Sequence, residues 1–298
     1  MILLPGFVWG GSFILTRLTL PFVPPFSLAL IRNGMGLIFL LGLLTALGGR
    51  VHRDWREWPP IMGLGICNSS AFLLTAWGQL FIPGGLTTIL AATIPFFTII
   101  VAHFVTKDDR INTGRAFGIF LGLIGVVILV GFEALSDMTQ GIQGQLAILG
   151  ASFLYGVAGV FARPVLARQS TNNGSTWIPR VRVMAMQMIT SVTILTPIAL
   201  ISDQTWTLEI PLYILGYLAM MGVGVTAFAT LTFYYLIESF GPSLASMTMY
   251  IIPISGVTLG VFVLGEQLTW TMPVAALFIL GGVFIANRPK SHRPKLAS

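Results

Sequence analysis

Charge is what this chain has least of. Of its 298 residues only 9% are Asp, Glu, Lys or Arg, against about 25% in a soluble globular domain. Residues 58–106 hold none at all, enough for two membrane spans at about 20 apolar residues each. A water-soluble fold is thereby excluded. The single cysteine, Cys67, excludes an internal disulfide. No basic segment precedes the first apolar run and no small-residue cleavage site follows it, so that run is expected to be a span and not a signal peptide. No carboxylate falls at mid-membrane depth, and of three histidines only His103 lies near a span, at its end. A buried acid relay for protons is therefore not expected. His, Cys, Asp and Glu do not converge at one depth, which removes the usual intramembrane enzyme and metal centre. "GGLTT" at 84–88 has no following lysine, so it is no nucleotide loop, and no large soluble segment is left to bind ATP. No cofactor and no metal are expected.

What is there is apolar sequence in regular blocks. Ten spans are predicted, at about 2–20, 26–48, 59–81, 84–105, 114–131, 142–163, 178–200, 211–237, 242–264 and 270–287. The cations sort themselves by loop. Arg50, Arg53 and Arg56 follow span 2, Lys107, Arg110 and Arg115 follow span 4, and Arg163, Arg168, Arg180 and Arg182 surround the loop after span 6. Arg288, Lys290, Arg293 and Lys295 close the chain, and only Arg17 and Arg32 lie toward the other side. The positive-inside rule then puts both termini in the cytoplasm of a multi-pass protein of the inner (plasma) membrane. The net charge of +6 is thus a topology signal facing the lipid bilayer, and no nucleic-acid partner is expected.

The chain also repeats itself. A shift of 158 residues carries Pro95 in "ILAATIPFFTII" onto Pro253 in "MTMYIIPISG", with Leu86 on Leu244 and Ile94 on Ile252. A shift of 146 carries "WGGSFILTR" at 9–17 onto "YGVAGVFAR" at 155–163, with Trp9 on Tyr155 and Arg17 on Arg163. The reading is an all-α membrane protein of two five-helix repeats, residues 1–137 and 138–288, with a basic cytoplasmic tail at 289–298. Five spans per copy is an odd number, so the copies are inverted, the architecture of many secondary transporters. Proline breaks at matching positions of the two halves point to a central path, because each frees a carbonyl that needs a partner. Pro95 and Pro253 are the candidate gating breaks; a simple packing kink is the other reading.

"WGGSFILTRLTLPFVPPFSLALIRNGMG" resembles the opening of EamA-type members of the drug/metabolite transporter superfamily, with a Trp–Gly pair, a basic residue late in span 1, prolines, and Arg32 early in span 2. The module of helix, proline, helix, acidic residue and glycine-rich span, seen twice and sharpest in "LGEQLT" at 264–269, is similar to that family too. The first copy has Asp108 and Asp109 where the second has Glu266. The resemblance implies a ten-span inverted-repeat carrier, often an exporter of amino acids or other metabolites. It names no single substrate. A lipid-moving protein, and after it an intramembrane receptor or enzyme, are the alternatives.

Candidate site residues follow from depth and chemistry. Arg32 lies about two turns into its span, where a guanidinium can bind a carboxylate through two parallel hydrogen bonds. Trp9, Asn68, Tyr155, Gln187 and Tyr250 offer polar tips on an apolar wall, the composition of a pocket for a small amphipathic substrate. Arg17, Arg163 and Arg182 sit near span ends, placed to steer an anionic solute or simply to reach the headgroups. Glycines at four-residue spacing, Gly118 with Gly122 and Gly256 with Gly260, mark faces for close helix approach. In span 5 that face serves either sliding within the chain or a homodimer contact.

Overall fold

The computed structural model describes residues 3–51, 54–105, 111–135, 139–170, 177–240, 248 and 251–286. Their ordered elements are helices. In chain order these are α1 (Leu3–Thr19), α2 (Pro25–Ala46), α3 (Trp58–Gly78), α4 (Gly84–Ala91), α5 (Ile94–Val105), α6 (Thr113–Leu135), α7 (Thr139–Ser170) and α8 (Trp177–Asp203). Then come α9 (Leu212–Ala219), a π-helical segment (Met220–Ala229), α10 (Thr230–Phe240), α11 (Ile251–Leu264) and α12 (Thr271–Ala286). Among the described residues six stretches are long and apolar enough to cross a bilayer, namely 25–46, 55–78, 84–105, 141–169, 177–203 and 212–236. The apolar helices at 113–128, 251–264 and 271–286 are shorter. Large apolar side chains point away from the protein, with Leu212 85%, Phe262 83% and Phe104 81% exposed. A surface of that kind is stable against hydrocarbon and not against water.

Prolines set where helices start. Pro24, Pro83 and Pro211 are extended residues just before α2, α4 and α9, and Pro25 and Pro59 lie in a first turn, where a missing N–H costs nothing. Pro95 obeys the same rule. The 84–105 span is interrupted at Ala92–Thr93, which places Pro95 in the first turn of α5. The Thr93 hydroxyl donates back to the Leu90 carbonyl at 2.6 Å, beside the Thr93 N–H bond to the same oxygen at 3.0 Å. Pro253 is likewise in the first turn of α11, where Ser255 Oγ donates to the Ile251 and Ile252 carbonyls at 2.9 and 3.1 Å.

The glycine face of span 5 is buried inside the chain. α6 packs on α12 more extensively than any other pair, and a Cβ at Gly118 would lie 2.5 Å from the Gly282 carbonyl oxygen. The two backbones approach too closely for any side chain there, so this face is spent on α12.

Helix ends gather at two opposite faces. At one, the ends of α1, α3, α8 and α11 meet the starts of α2 and α4. The Asp203 carboxylate accepts the Ser27 N–H at 2.7 Å, and Glu266 accepts the N–H groups of Gly84 and Gly85 at 2.7 and 2.8 Å. At the other, Arg168 at the end of α7 pairs with Glu57 at the start of α3, at 3.0 Å, and Arg182 Nε donates to the Arg50 carbonyl at 2.7 Å.

Candidate functional site

Between these faces, side chains from six spans converge. Arg32 enters from α2, about 10 Å along it at 1.5 Å per residue. The close approach of α2 and the π-helical segment puts it there: a Cβ at Gly222 would come within 2.6 Å of the Arg32 carbonyl oxygen. One turn on, Thr226 accepts a hydrogen bond from Arg32 Nε at 2.8 Å. The guanidinium carbon lies 4.0 Å above the ring centre of Phe72 on α3, a cation–π contact. Tyr155 of α7 is near enough for its phenol to interact electrostatically with the same guanidinium. The residue is 9% exposed. A guanidinium carries five N–H donors, and among the described residues only Nε is hydrogen-bonded. The terminal fork is left for something else.

A second polar chain runs beside the first. Asn68 of α3 donates to Gln187 of α8 at 3.2 Å, and Gln187 donates to the hydroxyl of Tyr234 at 3.3 Å. Gln187 and Tyr234 are buried, while Asn68 is half-buried. Trp9 of α1 packs edge-on against Phe233, with ring centres 5.0 Å apart. A cavity of about 460 Å³ lies along α3 and α7, lined by Leu64, Cys67, Ala158 and Phe161, with Glu57 and Arg168 at one end. It is displaced from Arg32 toward the Glu57 face and reaches the neighbour of Asn68. Its size is that of a small-molecule pocket. Among the described residues no three of His, Cys, Asp and Glu come together.

Of the residues expected at the site, Arg32 and Tyr155 are within electrostatic reach of one another, and Asn68 and Gln187 are bonded. Trp9 lines the neighbouring aromatic wall. Tyr250 lies outside the described residues, as do Asp108, Asp109 and the tail. The remaining arginines sit elsewhere. Arg17 donates to the Gln79 carbonyl and so caps the end of α3, Arg182 bonds the loop carbonyl of Arg50, and Arg163 is exposed on α7. Thr226, Phe72, Phe233 and Tyr234 complete the cluster; Thr226 and Tyr234 stand out in the sequence only as two of several mid-depth polar groups of span 8, and Phe72 and Phe233 not at all. The 158-residue shift that pairs the prolines also carries Asn68 onto Thr226, a signal that would have drawn Thr226 in. Phe72 carries no such mark.

A family model described as the EamA-like transporter family matches residues 1–131 and again 142–288. The chain belongs to the EamA-like transporter family. It is a multi-pass membrane protein. It is 23% identical over 288 residues to an uncharacterized transporter, YoaV, of Bacillus subtilis, covering 96% of this chain and 95% of that one. It is 26% identical over 297 residues to a probable amino-acid metabolite efflux pump of Salmonella typhimurium, covering 93% and 90%. It is 24% identical over 274 residues to an uncharacterized inner membrane transporter, YedA, of Escherichia coli K12, covering 88% and 81%. A solved structure titled only as the crystal structure of a protein superposes with a TM-score of 0.68 at 18% identity, over 96% of each chain. That likeness concerns the fold alone.

Proposed function

We propose that this transporter moves a small amphipathic carboxylate, an amino acid or a close relative, by alternating access at the Arg32 cluster. The observation that carries the reading is the open fork of Arg32. No described residue bonds it, and it is not among the buried polar atoms that lack a partner, so a solute can reach it. A carboxylate completes it with two parallel charge-assisted bonds. The amide oxygens of Asn68 and Gln187 suit an ammonium group, and Trp9, Phe72 and Phe233 suit an apolar side chain. The efflux-pump name of the Salmonella relative supports an outward direction.

The proposed frame is two inverted repeats, residues 1–137 and 138–288. The helix pairing supports it. When span 1 is exchanged with span 6, 2 with 7, and so on, the α3–α7 packing becomes the packing of α1 on the π-helical segment. The α4/α5–α7 packing becomes α11–α1, and α2 on the π-helical segment becomes α8–α3. The pairs α2–α8, α4–α11 and α6–α12 map onto themselves. The double family match is consistent with this division. The cation distribution supports cytoplasmic termini, with the Glu57–Arg168 face inside and the Arg17–Glu266 face outside. On this orientation the 460 Å³ cavity is an inner vestibule. Pro95 and Pro253 are the hinges, because each lies in the first turn of a half-helix, α5 and α11, at matching positions of the two repeats. Arg17 and Arg182 at the two mouths, and Arg163 on α7, draw anions toward the entrances.

An export screen tests this. Cells making the wild-type protein and cells making Arg32→Met are compared for solutes accumulating outside. Carboxylate-bearing metabolites should rise only with wild type. A rise confined to lipids, or identical profiles for the two proteins, would overturn the reading.

A further inference from the structure

At the Arg17–Glu266 face, two carboxylates from the second half of the chain reach across to helix starts of the first. Glu266 Oε1 and Oε2 accept the N–H groups of Gly84 and Gly85 at 2.7 and 2.8 Å. These are the opening residues of α4, whose N–H groups have no partner within the helix. Asp203 Oδ2 accepts the Ser27 N–H, in the first turn of α2, at 2.7 Å, and the Ser27 hydroxyl shares a hydrogen bond of 2.7 Å with Thr205. In both places an anion sits where the helix dipole favours one. Glu266 lies in the loop after α11 and Asp203 is the last residue of α8; both are half-buried.

The loop after α11 is shaped to deliver Glu266. Gly265 adopts a left-handed conformation, φ +65°, which glycine enters without steric cost, and the chain turns back so that the N–H groups of Gly265 and Glu266 donate to the Val261 and Gly260 carbonyls. A Cβ at Gly260 would lie 2.5 Å from Glu266 Oε2. The carboxylate therefore needs a glycine on α11 to lie flat against the start of α4.

The opposite face is tied differently. There Glu57 is held by side chains, Arg168 at 3.0 Å and Gln169 at 2.8 Å, and Arg182 Nε donates to the Arg50 carbonyl. We infer that Glu266 and Asp203 form the latch that keeps the outer gate closed, and that the outward-facing state requires both to leave the helix starts they cap. This rests on the transport reading and the orientation proposed above. It assigns to Glu266 and Asp203 a positioning role: they touch backbone, not substrate.

The test uses accessibility from outside. In the full-length protein with Cys67→Ser, a Ser12→Cys reporter on buried Ser12 of α1 sits between Trp9 and the Arg17 face. Right-side-out vesicles are treated with an impermeant maleimide. Glu266→Gln and Asp203→Asn should each raise the modification rate on the order of tenfold, since each removes a charge-assisted bond, and together they should raise it further. Gly260→Ala, which displaces the Glu266 carboxylate without removing it, should act like Glu266→Gln. Glu209→Gln, an exposed acid on the same side, should change nothing. Rates equal to the parent in the double variant and in Gly260→Ala would overturn the latch. A Glu209→Cys reporter run in parallel separates the causes. If it labels only from the inner side, the orientation has failed, whereas outside labelling with unchanged Ser12→Cys rates refutes the latch alone.

Discussion

Arg32→Met removes the charge and keeps a stem of similar length. In the native protein the guanidinium spends Nε on Thr226 and its face on Phe72, at 2.8 and 4.0 Å, and no described residue bonds its terminal fork. Two hydrogen bonds to a charged group, at roughly 1.5–3 kcal/mol each and not fully additive, amount to about 3 kcal/mol, or about a hundredfold in affinity. Arg32→Lys keeps the charge but loses the fork, so it should recover only part, ending about tenfold below wild type. Stability should move the other way. Replacing a buried charge that lacks an ionic partner with an apolar side chain of like volume relieves a desolvation cost, so Tm should hold or rise. The assay is uptake of a radiolabelled mixture of the common amino acids into proteoliposomes holding equal amounts of each protein, beside a thermal melt of the same preparations. A fall in uptake together with a fall in Tm would show that Arg32 is a structural cation, and unchanged uptake in Arg32→Met would refute the assignment outright.

Other outcomes follow from the same geometry. Gln187→Ala should cut the Asn68–Gln187–Tyr234 chain and lower uptake several-fold while costing no more than about 1–2 kcal/mol of stability, measured in the same two assays. Pro95→Ala and Pro253→Ala should each insert normally but slow exchange, and the double variant should be slower still, because alanine lets a helix run through the break. Full activity in the double variant would make the prolines packing features. Gly118→Val should destabilise by at least about 1–3 kcal/mol through overpacking against Gly282, read as a lowered melting temperature in detergent. A wild-type melt would contradict the α6–α12 contact.

Much of the fold was legible because hydrocarbon forces it to be. Charge-free blocks fixed where the helices lie, and Pro24, Pro83 and Pro211 fixed where three of them begin. The break in the 84–105 span was readable from Pro95, but not its placement at Ala92–Thr93, where tight turn bonds such as Thr93 N–H to the Leu90 carbonyl replace the helical ladder. Half of the site was readable for the same reason: Arg32, Asn68 and Gln187 are costly in lipid, so they had to meet something. Which partner each would meet was not readable. Phe72 looks like any lipid-facing aromatic until α2 is seen beside α3. Glu266 read as a loop acid, because a bond to the backbone of Gly84 and Gly85, some 180 residues away in sequence, leaves no periodicity to find. The ten-residue π-helical segment that offers Thr226 to Arg32 differs from an α-helix by one residue per hydrogen bond, a difference no side-chain pattern here encodes.

The most direct measurement of the central claim is solute counterflow in proteoliposomes of the wild-type protein. Vesicles loaded with unlabelled amino acids are diluted into radiolabelled ones, with competitors matched in shape but lacking the carboxylate, such as the corresponding amines. The account predicts protein-dependent accumulation that free carboxylate-bearing analogues inhibit, that the amines do not, and that Arg32→Met abolishes. Accumulation inhibited equally by the amines, or persisting in Arg32→Met, would contradict it.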